Sequence, residues 1–378
     1  MPRIFLSNFD FEHELAGGVT GREDRRLAEI NRSLSICWGP LIGEGDLIVN
    51  VAAGGTLEFL DARTMLPTVQ RPTKTDWKLV PWGWSESARE IALNLGLQID
   101  VPNPEIVRRV NRRSFRFELE REFEIGPVDS VLIRSEADLR QAIQAYSSGD
   151  RWVVKAEFGM SGRERIVGRG SVLTEAVGNW LARQLQSGGV LVFEPWLNAI
   201  REAGLLYEIP RESSPKFIGV AELLTDSGGT YLGSRFGHSS DALGWEEAIE
   251  MGLRVSQRLQ EAGYFGPLGI DVMEYDTPDG VRKIRMLQDL NARLTMGRLA
   301  LAWRDRITQN ECAVWLHLKR RRGDESPKLH PDWPADAQIV GESSGNQKSD
   351  VIANLSWYCI EAASPASRLV AERLTLMK

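Results

Sequence analysis

The sequence predicts an α/β domain followed by a longer α+β region built on an antiparallel sheet. Three observations carry this reading. Near the amino terminus two short apolar runs, Ile4 to Leu6 and Asp46 to Val51, flank a stretch patterned like a helix. Between Ile218 and Leu290 the chain alternates in strand fashion around one inserted helical segment. At 378 residues the chain is long enough for two or three domains.

In chain order, Arg22 to Ser33 supplies the helix between the first two strands. Ser85 to Leu95 reads as an amphipathic helix, with Ser85 as N-cap and Ala88, Ile91, Ala92 and Leu95 on one face. Val101 with Pro102 and Pro104 interrupts the pattern and marks a first domain boundary. From Glu105 the chain is helical to about Glu120, Ser130 to Ile133 is a short strand, and Ser135 to Tyr146 is a helix whose stripe is Leu139, Ala142 and Ile143. Trp152 to Lys155 and Ile166-Val167 are strands joined by a glycine-bearing turn that starts at Glu157. Thr174 to Gln186 is a helix, and Val190 to Phe193 is a strand stopped by Glu194-Pro195, as at a hinge.

The next block holds strands at Ile218 to Leu224, Thr230 to Gly233, Gly269 to Glu274 and Lys283 to Leu290, with a helix from Trp245 to Ala262. Beyond Trp315, Lys319-Arg-Arg-Arg322 and a Pro-, Ser- and Gly-rich tract to about Asp350 read as a solvated loop or linker, a basic interaction patch being the alternative. Val351 to Ala362 packs as a final helix or strand.

Composition narrows the function classes. With 42% apolar and 26% charged residues the chain folds, and its net charge of -6 argues against nucleic acid or an anionic membrane as the main partner and for small molecules. Asp10, Glu12, His13 and Glu14 break the first apolar stretch, so it is no signal-peptide core, and no run of eighteen apolar residues follows. Cys37, Cys312 and Cys359 are an odd, scattered set, which points to a reducing compartment, the cytoplasm. The twelve tryptophans are read as core and rim packing.

The chemistry-bearing residues concentrate in two places. Asp271 lies in Gly-Pro-Leu-Gly-Ile-Asp-Val-Met, and Asp289 and Asn291 lie in Leu-Gln-Asp-Leu-Asn-Ala-Arg, on strands separated by the turn Asp276 to Gly280. If these strands pair as a hairpin, three oxygen donors meet, a set that suits Mg²⁺ shared with phosphates. A satisfied buried hydrogen-bond network accounts for the same polar residues. Lys155 ends an apolar strand before a glycine-rich turn, an arrangement that presents N–H groups and a point charge to phosphate, although glycine also serves ordinary hairpins. Neither a Walker motif nor a dinucleotide fingerprint is present. Arg235 and His238, in Gly-Ser-Arg-Phe-Gly-His, are candidates to grip a substrate carboxylate; a surface salt bridge and a structural histidine are the alternatives.

Taken in order, Val110-Asn-Arg-Arg-Ser-Phe, Val153-Val-Lys-Ala-Glu-Phe-Gly-Met-Ser-Gly-Arg, Val192-Phe-Glu-Pro-Trp-Leu, Gly269-Ile-Asp-Val-Met and Gln288-Asp-Leu-Asn-Ala-Arg-Leu-Thr resemble the ATP-grasp superfamily over about Pro102 to Leu301. The resemblance implies an ATP-grasp fold behind an N-terminal α/β (pre-ATP-grasp) domain. It divides the chain into an N-terminal domain (1–101), a small subdomain with a glycine-rich lid (102–193), a large subdomain with a metal site (194–318) and a linker with C-terminal segment (319–378).

Position by position, the resemblance implies that Arg112 and Lys155 are phosphate-binding cations and that Gly159, Met160, Ser161 and Gly162 form the lid. Glu194, Pro195, Trp196 and Leu197 would be the adenine hinge, the amino group meeting Glu194 or a backbone carbonyl and a ring nitrogen the Leu197 N–H. Glu202 would bind ribose, with Arg201 disturbing the register; Asp271, Asp289 and Asn291 would hold metal; Arg293 would face an acyl phosphate, helped by Arg235. Departures from the pattern are Arg at 112 for the usual Lys, Asp289 for the usual Glu, and Gly269 where D-alanine ligases carry an arginine.

The activity so implied is an ATP-dependent carboxylate-amine ligase. ATP and Mg²⁺ (Mn²⁺ being admissible) are its cofactors and a small carboxylate and amine its partners, with no nucleic acid, no membrane, and a homodimer left open. Asn-Ala-Arg-Leu-Thr is similar to the Asn-Pro-Arg-Leu-Thr of amino-acid ligases, which implies an amino acid as one substrate. The alternatives are a phosphotransferase that forms no amide and an inactive nucleotide-binding regulatory protein.

Overall fold

The amino-terminal strand β1 (Arg3–Leu6) buries Ile4, Phe5 and Leu6 completely, as a parallel strand covered on both faces must. It is followed by α1 (Phe11–Leu15), α2 (Arg25–Leu34), β2 (Leu47–Val51), β3 (Leu57–Asp61), β4 (Lys78–Pro81) and α3 (Glu86–Asn94). The sheet order is β3-β2-β1-β4, with β1 parallel to β2 and β4 and β3 antiparallel to β2. Asp24 caps α2, and Ser85 caps α3 by accepting from the Ala88 N–H, leaving Ala88, Ile91 and Ala92 buried. The computed structural model describes residues 1–69, 72, 77–159, 164–186, 189–225, 229, 231–237, 242–306, 312–319, 338–343 and 352–359.

The helix expected from Glu105 to Glu120 is two, α4 (Pro104–Val110) and α5 (Arg113–Glu122). Distant chain makes the break: Asn111 Oδ1 accepts from the Ala292 N–H at 2.9 Å, and Glu157 caps α5 through its carbonyl to Arg113 N (3.0 Å) and its side chain to Ser114 N (2.8 Å). After these come β5 (Val131–Ile133), α6 (Glu136–Ile143), β6 (Arg151–Ala156), β7 (Arg165–Arg169), α7 (Glu175–Leu185) and β8 (Leu191–Pro195), a four-stranded antiparallel sheet in the order β5-β8-β6-β7. Ile133, Leu139, Trp152, Val154, Leu181 and Phe193 form its own core. Glu194 and Pro195 do not stop β8: they still pair with Val153 and Trp152, proline being tolerated at the strand's last position.

The large sheet contains β9 (Ala199–Ile209), β10 (Lys216–Thr225), β11 (Tyr231–Phe236), β12 (Gly266–Asp276) and β13 (Arg282–Asn291), with α8 (Glu246–Glu261) before β12 and α9 (Met296–Leu301) after β13. It is completed by β14 (Cys312–Lys319), β15 (Gln338–Ser343) and β16 (Ile352–Cys359), in the order β13-β12-β9-β10-β11-β14-β16-β15. Strand β9 was not foreseen, yet it lies between β10 and β12; Arg201, Glu202 and Glu208 mask a central run, Ala203 to Tyr207, whose apolar side chains are buried.

The linker expected up to Asp350 is corrected in part, since β15 falls inside it and β16 lies in the following segment; both add to the sheet. The cysteines are less scattered than the sequence suggests, because the register sets Cys312 opposite Cys359. Among the described residues no helix is long and apolar enough to cross a membrane.

Candidate active site

The hairpin β12–β13 brings the predicted oxygen donors together. Asp271 is the direct cross-strand partner of Asp289, and Gly269 that of Asn291. The two-residue period of a strand turns Asp289 and Asn291 to one face, and Asn291 Nδ2 donates to Asp271 Oδ2 at 3.3 Å. Burial first, and then the neighbouring Asp289 charge, push the Asp271 carboxyl up to about 7. Burial works on Asp289 in the same sense, but Arg113 at 3.5 Å, with Lys155 and Arg116 behind it, outweighs burial and holds that carboxyl below its ordinary value. Two facing carboxylates with an amide beside them are groups that could hold a hard divalent cation; Asn291 here turns its nitrogen to Asp271 and its oxygen to Arg293, so its oxygen would have to rotate to join them.

Strand β6 ends at this site. Lys155 Nζ lies 2.7 Å from Glu194 Oε2; burial lowers the lysine's pKa, and the attraction of Glu194 opposes that. Both residues line a cleft of about 480 Å³, together with Pro195, Trp196, Leu197, Glu202 and Arg235. The carboxylates Asp271 and Asp289 are not part of its wall; Lys155 links the two places, acting on Asp289 while facing the cleft.

Several sequence expectations change here. Glu194 has no free oxygen for a base, since Oε1 accepts from Arg116 (2.5 Å) and Arg285 (2.6 Å), and Oε2 from Arg285 (3.1 Å) and Lys155. The side-chain contact to an adenine amino group expected of Glu194 is therefore not available. Arg112 stands at the N-cap position of α5, its Nε buried and without a partner among the described residues, while the next residue, Arg113, reaches Ala156 O (2.7 Å), Gly159 O (3.5 Å) and Asp289. Arg113, the residue after the expected phosphate-binding Arg112, is thus a cation paired with Asp289. Met160, Ser161, Gly162 and His238 lie outside the described residues.

Glu202 faces the cleft, where it accepts from Thr225 Oγ1 (2.8 Å) and Gln288 Nε2 (3.0 Å). Arg201 turns to Glu274 (2.5 Å) and the Trp245 ring (4.5 Å). Arg235 is buried and paired with Glu222 at 2.9 Å, a correction to the surface salt bridge weighed for it. Arg293 is bound by Glu12 of α1, donates to Asn291 Oδ1 (3.0 Å) and Leu294 O (2.8 Å), and stacks 5.1 Å from the Trp82 ring, so the N-terminal domain holds it beside the acidic hairpin.

Arg113, Arg116, Glu120, Arg285, Glu12 and Trp82 escaped the sequence reading. A signal existed for Arg116 and Glu120, four apart on a helix face shared with buried Leu119 and Phe115, and for Arg285 within the apolar run Ile284 to Leu287. No local signal joins Glu12 to Arg293, 281 residues away.

No protein-family model matches the sequence, and no curated protein matches it. Solved structures do. N5-carboxyaminoimidazole ribonucleotide synthetase from Thermus thermophilus aligns over 100% of this chain and 96% of its own, at 13% identity and a TM-score of 0.55. The biotin carboxylase domain of the Hydrogenobacter thermophilus 2-oxoglutarate carboxylase, in complex with Mg-ADP, ADP and bicarbonate, aligns over 95% and 86%, at 10% identity and 0.53. Biotin carboxylase from Campylobacter jejuni aligns over 75% and 71%, at 12% identity and 0.51. At such identities the likeness is one of fold: the chain has an ATP-grasp fold with an N-terminal α/β domain.

Proposed function

We propose that this protein is an ATP-dependent carboxylate-amine ligase that joins a small acid to an amine, one of them an amino acid, through an acyl phosphate. The observation that carries the reading is the facing pair Asp271 and Asp289 with Asn291, paired with Arg113 and acted on by Lys155, which also lines the cleft. The Mg-ADP and bicarbonate of the Hydrogenobacter domain support a nucleotide and a small acid as ligands on this fold.

In the first step a carboxylate oxygen of the substrate attacks the γ-phosphorus of ATP, the bond to the β,γ-bridging oxygen breaks, and ADP leaves. In the second the amine nitrogen attacks the acyl carbon, inorganic phosphate leaves with the electron pair, and the nitrogen loses a proton to give the amide. Lys155, Arg113 and Arg112 place positive charge against the phosphate oxygens, and the 194–197 backbone receives the adenine. Arg293, oriented by Glu12, faces the acyl phosphate, and Arg235 serves the substrate carboxylate. Asp271, Asp289 and Asn291 would hold Mg²⁺, or Mn²⁺ on the same oxygen set, which when bound neutralises charge on the phosphates.

Incubation of the protein with Mg-ATP, pooled amino acids and amines, and bicarbonate among the acids, followed by mass identification of the products, tests this. A conjugate with stoichiometric ADP is expected only when acid and amine are both present. ADP formed equally without any amine would refute amide formation.

A further inference from the structure

Strand β7 is the last in its sheet, and no strand lies on its outer side among the described residues. The Ala156 N–H donates to Glu164 O at 2.9 Å and the Gly170 N–H to Asp150 O at 2.9 Å, which fixes the phase of the β6–β7 ladder. Alternation then turns the N–H and C=O groups of Val167 and Arg169 away from β6, toward the open edge. A cavity of about 310 Å³ is lined by these two residues together with Arg151, Val172, Thr174 and Val177.

The charge of this cavity is one-sided. Arg151 and Arg169 are direct cross-strand partners, like charges set side by side, and no acidic residue is in the cavity wall. The carboxylate of the adjoining Asp150 is turned to the Ser147 N–H at 2.7 Å. Thr174 Oγ1 accepts from the Val177 N–H at 3.4 Å and keeps its hydrogen to donate. The rest of the wall is aliphatic, and Val172 stands 72% exposed. Charged side chains also guard an open edge against pairing, but guarding calls for no cavity of valines beside them. A second copy is a poor occupant, because two β7 strands paired antiparallel about Val167 would set Arg165 against Arg169 on both sides.

We propose that this groove binds an N-acylated aliphatic amino acid as a free small molecule. Its carboxylate meets the Arg169 and Arg151 guanidiniums, its amide pairs with the outward N–H and C=O of Val167, and its branched side chain packs on the valines. The volume suits one such molecule and not a long peptide. Arg151 also lines the cleft described above, where its guanidinium lies 4.2 Å from the centre of the Trp196 ring, so the two cavities share a wall residue. The assignment does not depend on the activity proposed for that cleft.

Ligand-observed NMR titration with N-acetylvaline tests it, with N-acetylvalinamide, which lacks the carboxylate, as the comparison. The wild type should bind N-acetylvaline saturably and prefer it to the amide by about tenfold, the worth of one charge-assisted hydrogen bond. Arg169→Gln should remove most of that preference without weakening the amide. Val172→Asp, at an exposed position, should do the same by setting a negative charge against the carboxylate. Absence of saturable binding below about ten millimolar in the wild type would overturn the proposal without recourse to any variant. So would a preference that both variants leave intact, since the ligand would then sit elsewhere, the cleft included.

Discussion

Two charge clusters lie four residues apart on β13, one buried and one partly open, and they are built on opposite principles. Around Arg285, all four carboxylate oxygens of Glu120 and Glu194 accept from Arg116, Arg285 or Lys155. The cluster ties α5, β8 and β13 together at the back of the cleft, and burial, which alone would raise the Glu194 carboxyl, is overwhelmed by Arg116, Arg285 and Lys155, so it stays well below the ordinary range. Around Asp289, by contrast, Asp271 faces a like charge and one amide, and its carboxyl is driven upward. The two also differ in exposure: the arginine and glutamate side chains of the first are 1–4% exposed, whereas Asp289 is 32% exposed. The buried, satisfied cluster holds the fold, and the more open, less compensated one has room in its electrostatics for a ligand cation.

Breaking the satisfied cluster should have the largest effect. Arg285→Met removes one side of a buried ionic lattice and should cost about 3–5 kcal/mol in urea unfolding. A loss below about 1 kcal/mol, typical of exposed pairs, would show that the cluster does not bind the subdomains. In the unsatisfied cluster, Asp289→Asn should reduce Mg-dependent ADP release by about 10²–10³; unchanged ATP consumption would reject the metal assignment.

The smallest effect has the opposite sign. Asp271→Asn should stabilise the metal-free protein by about 1 kcal/mol at pH 8, since it removes the charge that burial and Asp289 disfavour. Between the ordinary carboxylate pKa and about 7, folded Asp271 binds a proton that the unfolded chain has released, so wild-type stability falls as pH rises through that window. The advantage of Asp271→Asn should therefore be full at pH 8 and vanish near pH 4, as read from melting temperatures in the presence of a chelator. A constant gap across the range would mean that Asp271 does not carry the shift.

Most strands and helices, and the acidic hairpin itself, were legible in the sequence because their causes are local. A two-residue period sets which side Asp289 and Asn291 share, a turn at Asp276 to Gly280 folds β13 back on β12, and Ser85 announces α3 through its own hydroxyl. Strand β9 was not legible, because its charged ends hide a run that is buried by neighbours on both sides. The same holds for Arg113, chosen over Arg112 by the Glu157 cap, and for Glu194, whose carboxylate is taken by arginines from α5 and β13.

By itself, then, the sequence determined most of the elements, the hairpin and the three polar residues it brings together, since backbone periodicity and turn chemistry act over a few residues. Only the tertiary structure decided that Glu12 holds Arg293, that β15 and β16 extend the large sheet, and that Gln288 reaches Glu202. Those contacts join segments far apart in the chain. Which of them form is set by the need to pair every buried charge and donor at once, a condition that no short window of residues contains.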